Sequence, residues 1–190
     1  EFLVNTSPFL EPENEEYFQK GIAPFFQFQV FPNLRQLELS PGQTYSIFSS
    51  GLDSSVTQAF ENLPLLEKLS LKINTFLPGL SFLLEGLLQL PQLTSFSFWA
   101  KCLMSPRNWN TLTTFAKSQQ NLVSLRFQIY KCKITQEDLL ENFLESFSHR
   151  PKLQYLSLRY FYGEQFPVFS NGLKRMVRSN QIKSFTFKID

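Results

Sequence analysis

Six times along the chain, apolar residues stand at offsets of three and five from a leading apolar residue, and this frame leaves few folds open. The clearest copy is LEKLSLKI, in which Leu66, Leu69, Leu71 and Ile73 occupy offsets 0, 3, 5 and 7. The last three alternate with Lys68, Ser70 and Lys72, the period of two expected of a strand with one buried face. The other copies are led by Leu34, Leu93, Leu122, Leu153 and Ile182, and the steps between leading residues are 32, 27, 29, 31 and 29. Random apolar clustering would not keep that spacing, so the sequence is a repeat. Pro32, Pro64, Pro91 and Pro151 each stand two residues before a leading residue. Proline ends a helix and keeps the residue before it extended, so it marks a hand-over from helix to strand in four of the six units.

Between the strand segments the period becomes helical. Leu80, Leu83, Leu84 and Leu87 fall at i, i+3, i+4 and i+7, and Leu140, Phe143, Leu144 and Phe147 repeat the spacing. Phe169, Leu173, Met176 and Val177 give a third such stripe. Ser105 before Pro106 reads as an N-cap with proline at the first helical position, and Thr135 with Asp138 as a capping box. Each unit is therefore expected to run strand, loop, helix.

The L-x-x-L-x-L frame in LEKLSLKIN and LVSLRFQIYKCKI, with one helix per unit, resembles the leucine-rich repeat family. The unit length is closest to its ribonuclease-inhibitor-like class. The resemblance covers residues 32–190, with about six strand positions, and implies an α/β horseshoe with a parallel concave sheet and helices on the convex side. The strong bias of β-α-β crossovers makes it right-handed. Residues 1–31 read as an irregular or degenerate-repeat segment. In it, Phe26, Phe28 and Val30 alternate as a strand would, and Phe2 with Val4 fit the tail of an earlier repeat strand. The family's Asn or Cys at offset 8 is present only as Asn74. Gly42, Lys101, Tyr130, Phe161 and Asp190 hold the other places, so irregular turns are expected after those strands.

A hydrophobic content of 43% is enough for one continuous core, and the 22 phenylalanines are expected to fill it, as at Phe96, Phe98, Phe127, Phe185 and Phe187. No apolar run approaches the ~20 residues of a membrane span. Cys102 and Cys132 are too few for a disulfide framework and read as buried thiols, which favours a reducing, cytoplasmic compartment. The lone His149 sits at an expected helix end, where a cation suits the dipole. Glu137 and Asp138 suit a first helical turn for the same reason. With no zinc spacing, phosphate loop or nucleophile elbow, the expectation is a protein that is not an enzyme and takes no cofactor or metal. The chain closes on an apolar strand without a polar cap, so it is expected to be a piece of a longer chain or to dock its ends on neighbours.

The positions that alternate with the core carry the functional signal. In a stacked parallel sheet they form rows across the concave face, bringing together Lys68, Lys72, Trp99, Arg126, Tyr155, Arg159 and Lys188. Five cations against Glu38 give that face a formal +4, more than the whole chain's +2. Trp, Tyr and Arg are the residue types enriched at binding hot spots. The expectation is a scaffold or protein-interaction module whose partner offers an acidic surface to this face. The alternatives are a regulator that inhibits an enzyme or activates a small GTPase, as the resemblance implies, or an RNA-binding surface. Nucleic acid is disfavoured by the small net charge.

Overall fold

The computed structural model describes residues 2–5, 33–40, 54–73, 80–101, 104–129, 137–148, 150–160, 166–179 and 181–189. The strands are β1 (Phe2–Asn5), β2 (Gln36–Ser40), β3 (Lys68–Ile73), β4 (Ser95–Ala100), β5 (Ser124–Ile129), β6 (Tyr155–Tyr160) and β7 (Ser184–Ile189). They form one seven-stranded sheet in chain order, and every neighbouring pair is parallel. The helices are α1 (Ser54–Glu61), α2 (Leu80–Gly86), α3 (Pro106–Ser118), α4 (Glu137–Glu145) and α5 (Phe166–Ser179). The protein is thus an α/β repeat in which parallel strands alternate with helices from β2 onward.

The strands stack without slippage. Leu37, Leu69, Phe96, Leu125, Leu156 and Phe185 share one register position, and Leu39, Leu71, Phe98, Phe127, Leu158 and Phe187 share the next on the same face. One backbone contact recurs at each step. The carbonyls of Arg35, Glu67, Thr94, Val123 and Gln154 each accept two N–H groups from the start of the following strand, at 2.8–3.1 Å. Because side chains alternate with a period of two, a slip of one residue would turn every core residue to the opposite face.

Helices cover the apolar face of the sheet. Aromatic rings bridge the two layers: Phe96 meets Phe115 of α3 at 4.8 Å, and Phe127 meets Phe143 of α4 at 4.6 Å. Trp109 of α3 lies 5.8 Å from Phe143, which ties neighbouring units together. These edge-on and tilted contacts suit the charge distribution of the rings. The expected cap of α3 is present: the Ser105 hydroxyl accepts from the Asn108 N–H at 3.2 Å, and Pro106 follows it. Thr135 lies outside the described residues, as do His149, Cys102, Cys132 and the segment with Phe26, Phe28 and Val30.

Several expectations are corrected. Leu87 ends its stripe in a 3-10 turn (Leu87–Gln89), and Phe147 sits in the turn after α4, although both are buried. Phe185 was expected in the core but is 42% exposed, and Phe187 is only partly buried. The reason is their place in the sheet: among the described residues β7 has a neighbour on one side alone, β6. At the other end β1 pairs with β2 through Phe2 beside Leu37 and Val4 beside Leu39, so those two residues do occupy a strand in the same frame.

Two substitutions test this packing. Leu125→Ala, at a residue 1% exposed in a central strand, should lower unfolding free energy by about 2–5 kcal/mol in a denaturant titration, through lost burial and a cavity. A change near zero would mean that the register is wrong. At Gly86 a Cβ would run into the buried Phe60 ring, although the backbone there is an ordinary right-handed helix. Gly86→Ala should therefore destabilise by about 1–3 kcal/mol through overpacking, despite alanine's higher helix propensity.

Candidate functional site

The same alternation that buries the core presents the other half of each strand on the face opposite the helices. Lys68, Ser95, Ser124, Tyr155 and Ser184 form one row, Glu38, Ser70, Ser97, Arg126, Ser157 and Thr186 the next, and Lys72, Trp99, Gln128, Arg159 and Lys188 a third. β1 extends the last two rows, with Leu3 beside Glu38 and Asn5 beside Ser40. No row residue of β2–β7 with described burial belongs to the buried core.

The seven expected site residues spread over five adjacent strands, β3 to β7, with Lys72 directly beside Trp99. Trp99, Arg126, Tyr155 and Arg159 lie on β4, β5 and β6, so the patch is two strand spacings wide, about 10 Å. Lys188 joins it on β7, beside Arg159. Lys68 and Lys72 lie on β3, separated from Arg126 by β4, whose Ser95, Ser97 and Trp99 carry no charge. Tyr155 is 48% exposed, Arg126 is exposed, and Trp99 is half-buried.

Register alone did not reveal how the single acid is used. Glu38 accepts from the Lys72 ammonium diagonally across the β2–β3 pair, which neutralises Lys72 locally. Both groups are partly exposed, so the pair contributes little to stability, at most about 1 kcal/mol. On the β5–β7 side the described row residues include Arg126, Arg159 and Lys188 and no acid.

Two further residues went unnoticed because their chemistry is internal. Gln119 and Arg150 occupy the helix-to-strand turn at places equivalent to Leu63 and Leu90, and all four are buried. The Gln119 amide donates to the Leu90 carbonyl at 3.2 Å, and the Arg150 guanidinium to the Lys117 carbonyl at 2.9 Å, so each reaches back into the preceding unit. Burial lowers the Arg150 pKa below its ordinary value, yet an arginine starts so high that it remains charged. These residues hold units together rather than contact a partner. Their signal in the sequence is a polar residue where other units have leucine.

Among the described residues no group of three or more His, Cys, Asp or Glu is placed to hold a metal ion, and no helix is long and apolar enough to cross a membrane. No protein-family model matches the chain, and no curated protein matches it.

The two tryptophans give a direct probe of the face, since Trp109 is 1% exposed and Trp99 half-buried. Fluorescence quenching should come from Trp99 and disappear in Trp99→Phe. With each quencher normalised to its effect on free N-acetyltryptophanamide, iodide should quench more efficiently than caesium, because the local field attracts anions. Stronger quenching by caesium would contradict a basic face.

Proposed function

We propose that the chain is a leucine-rich repeat segment of the ribonuclease-inhibitor-like class, working as a non-catalytic interaction module that holds a protein partner against its concave sheet. The observation that carries this reading is the juxtaposition of Trp99, Arg126, Tyr155 and Arg159 on three consecutive strands, with Tyr155 largely in solvent. A large aromatic left exposed on a strand gains nothing for the core, whereas aromatics and arginine are the side chains that dominate binding energy at protein interfaces. A parallel sheet locked at every step by paired backbone bonds also supplies a rigid platform, which lowers the entropy lost on association. The partner offers an acidic or mixed polar surface, complementary to the β5–β7 side of the face.

The test is the triple variant Trp99→Ala, Arg126→Ala and Arg159→Ala, compared with the parent for affinity to a co-purified partner. Thermal melting verifies that the variant is folded. Affinity should fall by on the order of 2 kcal/mol or more, while Lys72→Ala should change it little. Unchanged affinity in a folded triple variant would move the interface to the helices or to the ends of the sheet.

A further inference from the structure

Two aromatic rings and a guanidinium fall on one diagonal of the open face. Trp99 of β4 stands beside Gln128, two residues past Arg126 of β5, and Arg126 lies two residues past Ser124, which stands beside Tyr155 of β6. Each step from Trp99 to Arg126 and from Arg126 to Tyr155 therefore crosses one strand and runs two residues along it. With strands ~4.8 Å apart and a two-residue rise of ~6.6 Å, each step is about 8 Å and the whole line about 16 Å. Tyr155 and Arg126 are exposed and Trp99 is half-buried. Among the described residues Arg126 forms no ion pair, and Trp99 and Tyr155 make no ring contact.

The line runs aromatic, cationic, aromatic. A guanidinium fork matches the two oxygens of one carboxylate, and flat rings take apolar or aromatic side chains. An extended peptide puts every second side chain on one face at steps of ~6.6 Å, so an acid and the residues two places before and after it meet all three positions, with side-chain length covering the remaining ~1.5 Å per step.

The residues beside Arg126 suit the same ligand. Ser97 and Ser157 stand directly on either side of it, both partly exposed. An extended backbone arrives with unpaired N–H and C=O groups, and a hydroxyl accepts from the one and donates to the other. A helix satisfies those groups internally and would leave the serines idle. Strand addition has no opening here, because β4, β5 and β6 are each paired on both sides. A single-stranded nucleic acid fits less well, since it brings a negative charge with every nucleotide against one cation on the line.

We infer that the diagonal receives an extended segment of the protein partner, in which an aspartate or glutamate bound by Arg126 is flanked two residues away on each side by apolar or aromatic residues that pack on Trp99 and Tyr155. The inference rests on the interaction reading above and narrows it from a surface to a linear motif.

The experiment uses the isotopically labelled 190-residue chain and follows the Trp99 indole N–H, identified by its loss in Trp99→Phe, by nuclear magnetic resonance. The probes are three synthetic peptides: acetyl-SFSESFS-amide, the same peptide with glutamine for glutamate, and acetyl-SSFEFSS-amide, which has the same composition but turns both rings away from the acid's face. The first peptide should shift the Trp99 signal to saturation and bind about ten-fold more tightly than either of the others. In Arg126→Gln, with folding checked by thermal melting, the glutamate and glutamine peptides should bind alike. Equal affinities of the three peptides for the parent chain, no saturable shift, or a preference for glutamate that survives Arg126→Gln would overturn the inference. So would tighter binding of oligouridylate than of the first peptide.

Competition against the co-purified partner separates the two levels. A partner that the saturating first peptide does not displace, yet that binds less tightly to the Trp99, Arg126 and Arg159 triple variant, refutes the linear motif alone. Affinity unchanged in the triple variant refutes the interface itself.

Discussion

No single unit of this chain can bury its own apolar face. Each of the strands β2 to β5, five or six residues long, has two or three core side chains, and each helix one stripe, so burial is complete only when the next unit stacks in the same register. Everything else follows from that requirement. Phe98 stacks on Phe127 at 5.3 Å because both stand at the same place in adjacent frames, and the paired N–H contacts at each strand start prevent one unit from sliding against its neighbour. Where a described neighbour is missing on one side, as at β7, the rule loosens at once, and Phe185 emerges into solvent.

The candidate site is a by-product of the same constraint. A period of two that turns Leu125 and Phe127 inward turns Ser124, Arg126 and Gln128 outward, and parallel in-register pairing converts sequence spacing into rows. Side chains that bind nothing in the core are therefore delivered to fixed positions about 5 Å apart, on a backbone whose hydrogen bonds are already satisfied. Charge then distinguishes the two ends of the platform. The Glu38–Lys72 pair neutralises one cation at the β2–β3 end, and the described row residues of β5–β7 are three cations and no acid.

Much of this was legible in the sequence. The L-x-x-L-x-L frame located all six strands from β2 to β7, and the alternation within them assigned every row residue to the correct face. What escaped depends on contacts between units rather than on spacing within one. Gln119 and Arg150 look like surface residues by type, and only their carbonyl partners in the preceding unit explain their burial. The close approach of Phe60 to Gly86 could not be read at all, since it depends on how two helices meet.

The most direct measurement is hydroxyl-radical footprinting of the chain with and without its partner. The structure supplies three reporters on different surfaces: Tyr155 on the open sheet face, Phe185 on the edge strand and Leu65 in a helix-to-strand turn, exposed by 48%, 42% and 40%. Binding across the open face predicts that Tyr155 and Trp99 lose reactivity in the complex while Leu65 and Phe185 retain theirs. Protection of Phe185 or Leu65 with Tyr155 unchanged would contradict the account and place the partner on an edge or on the turns.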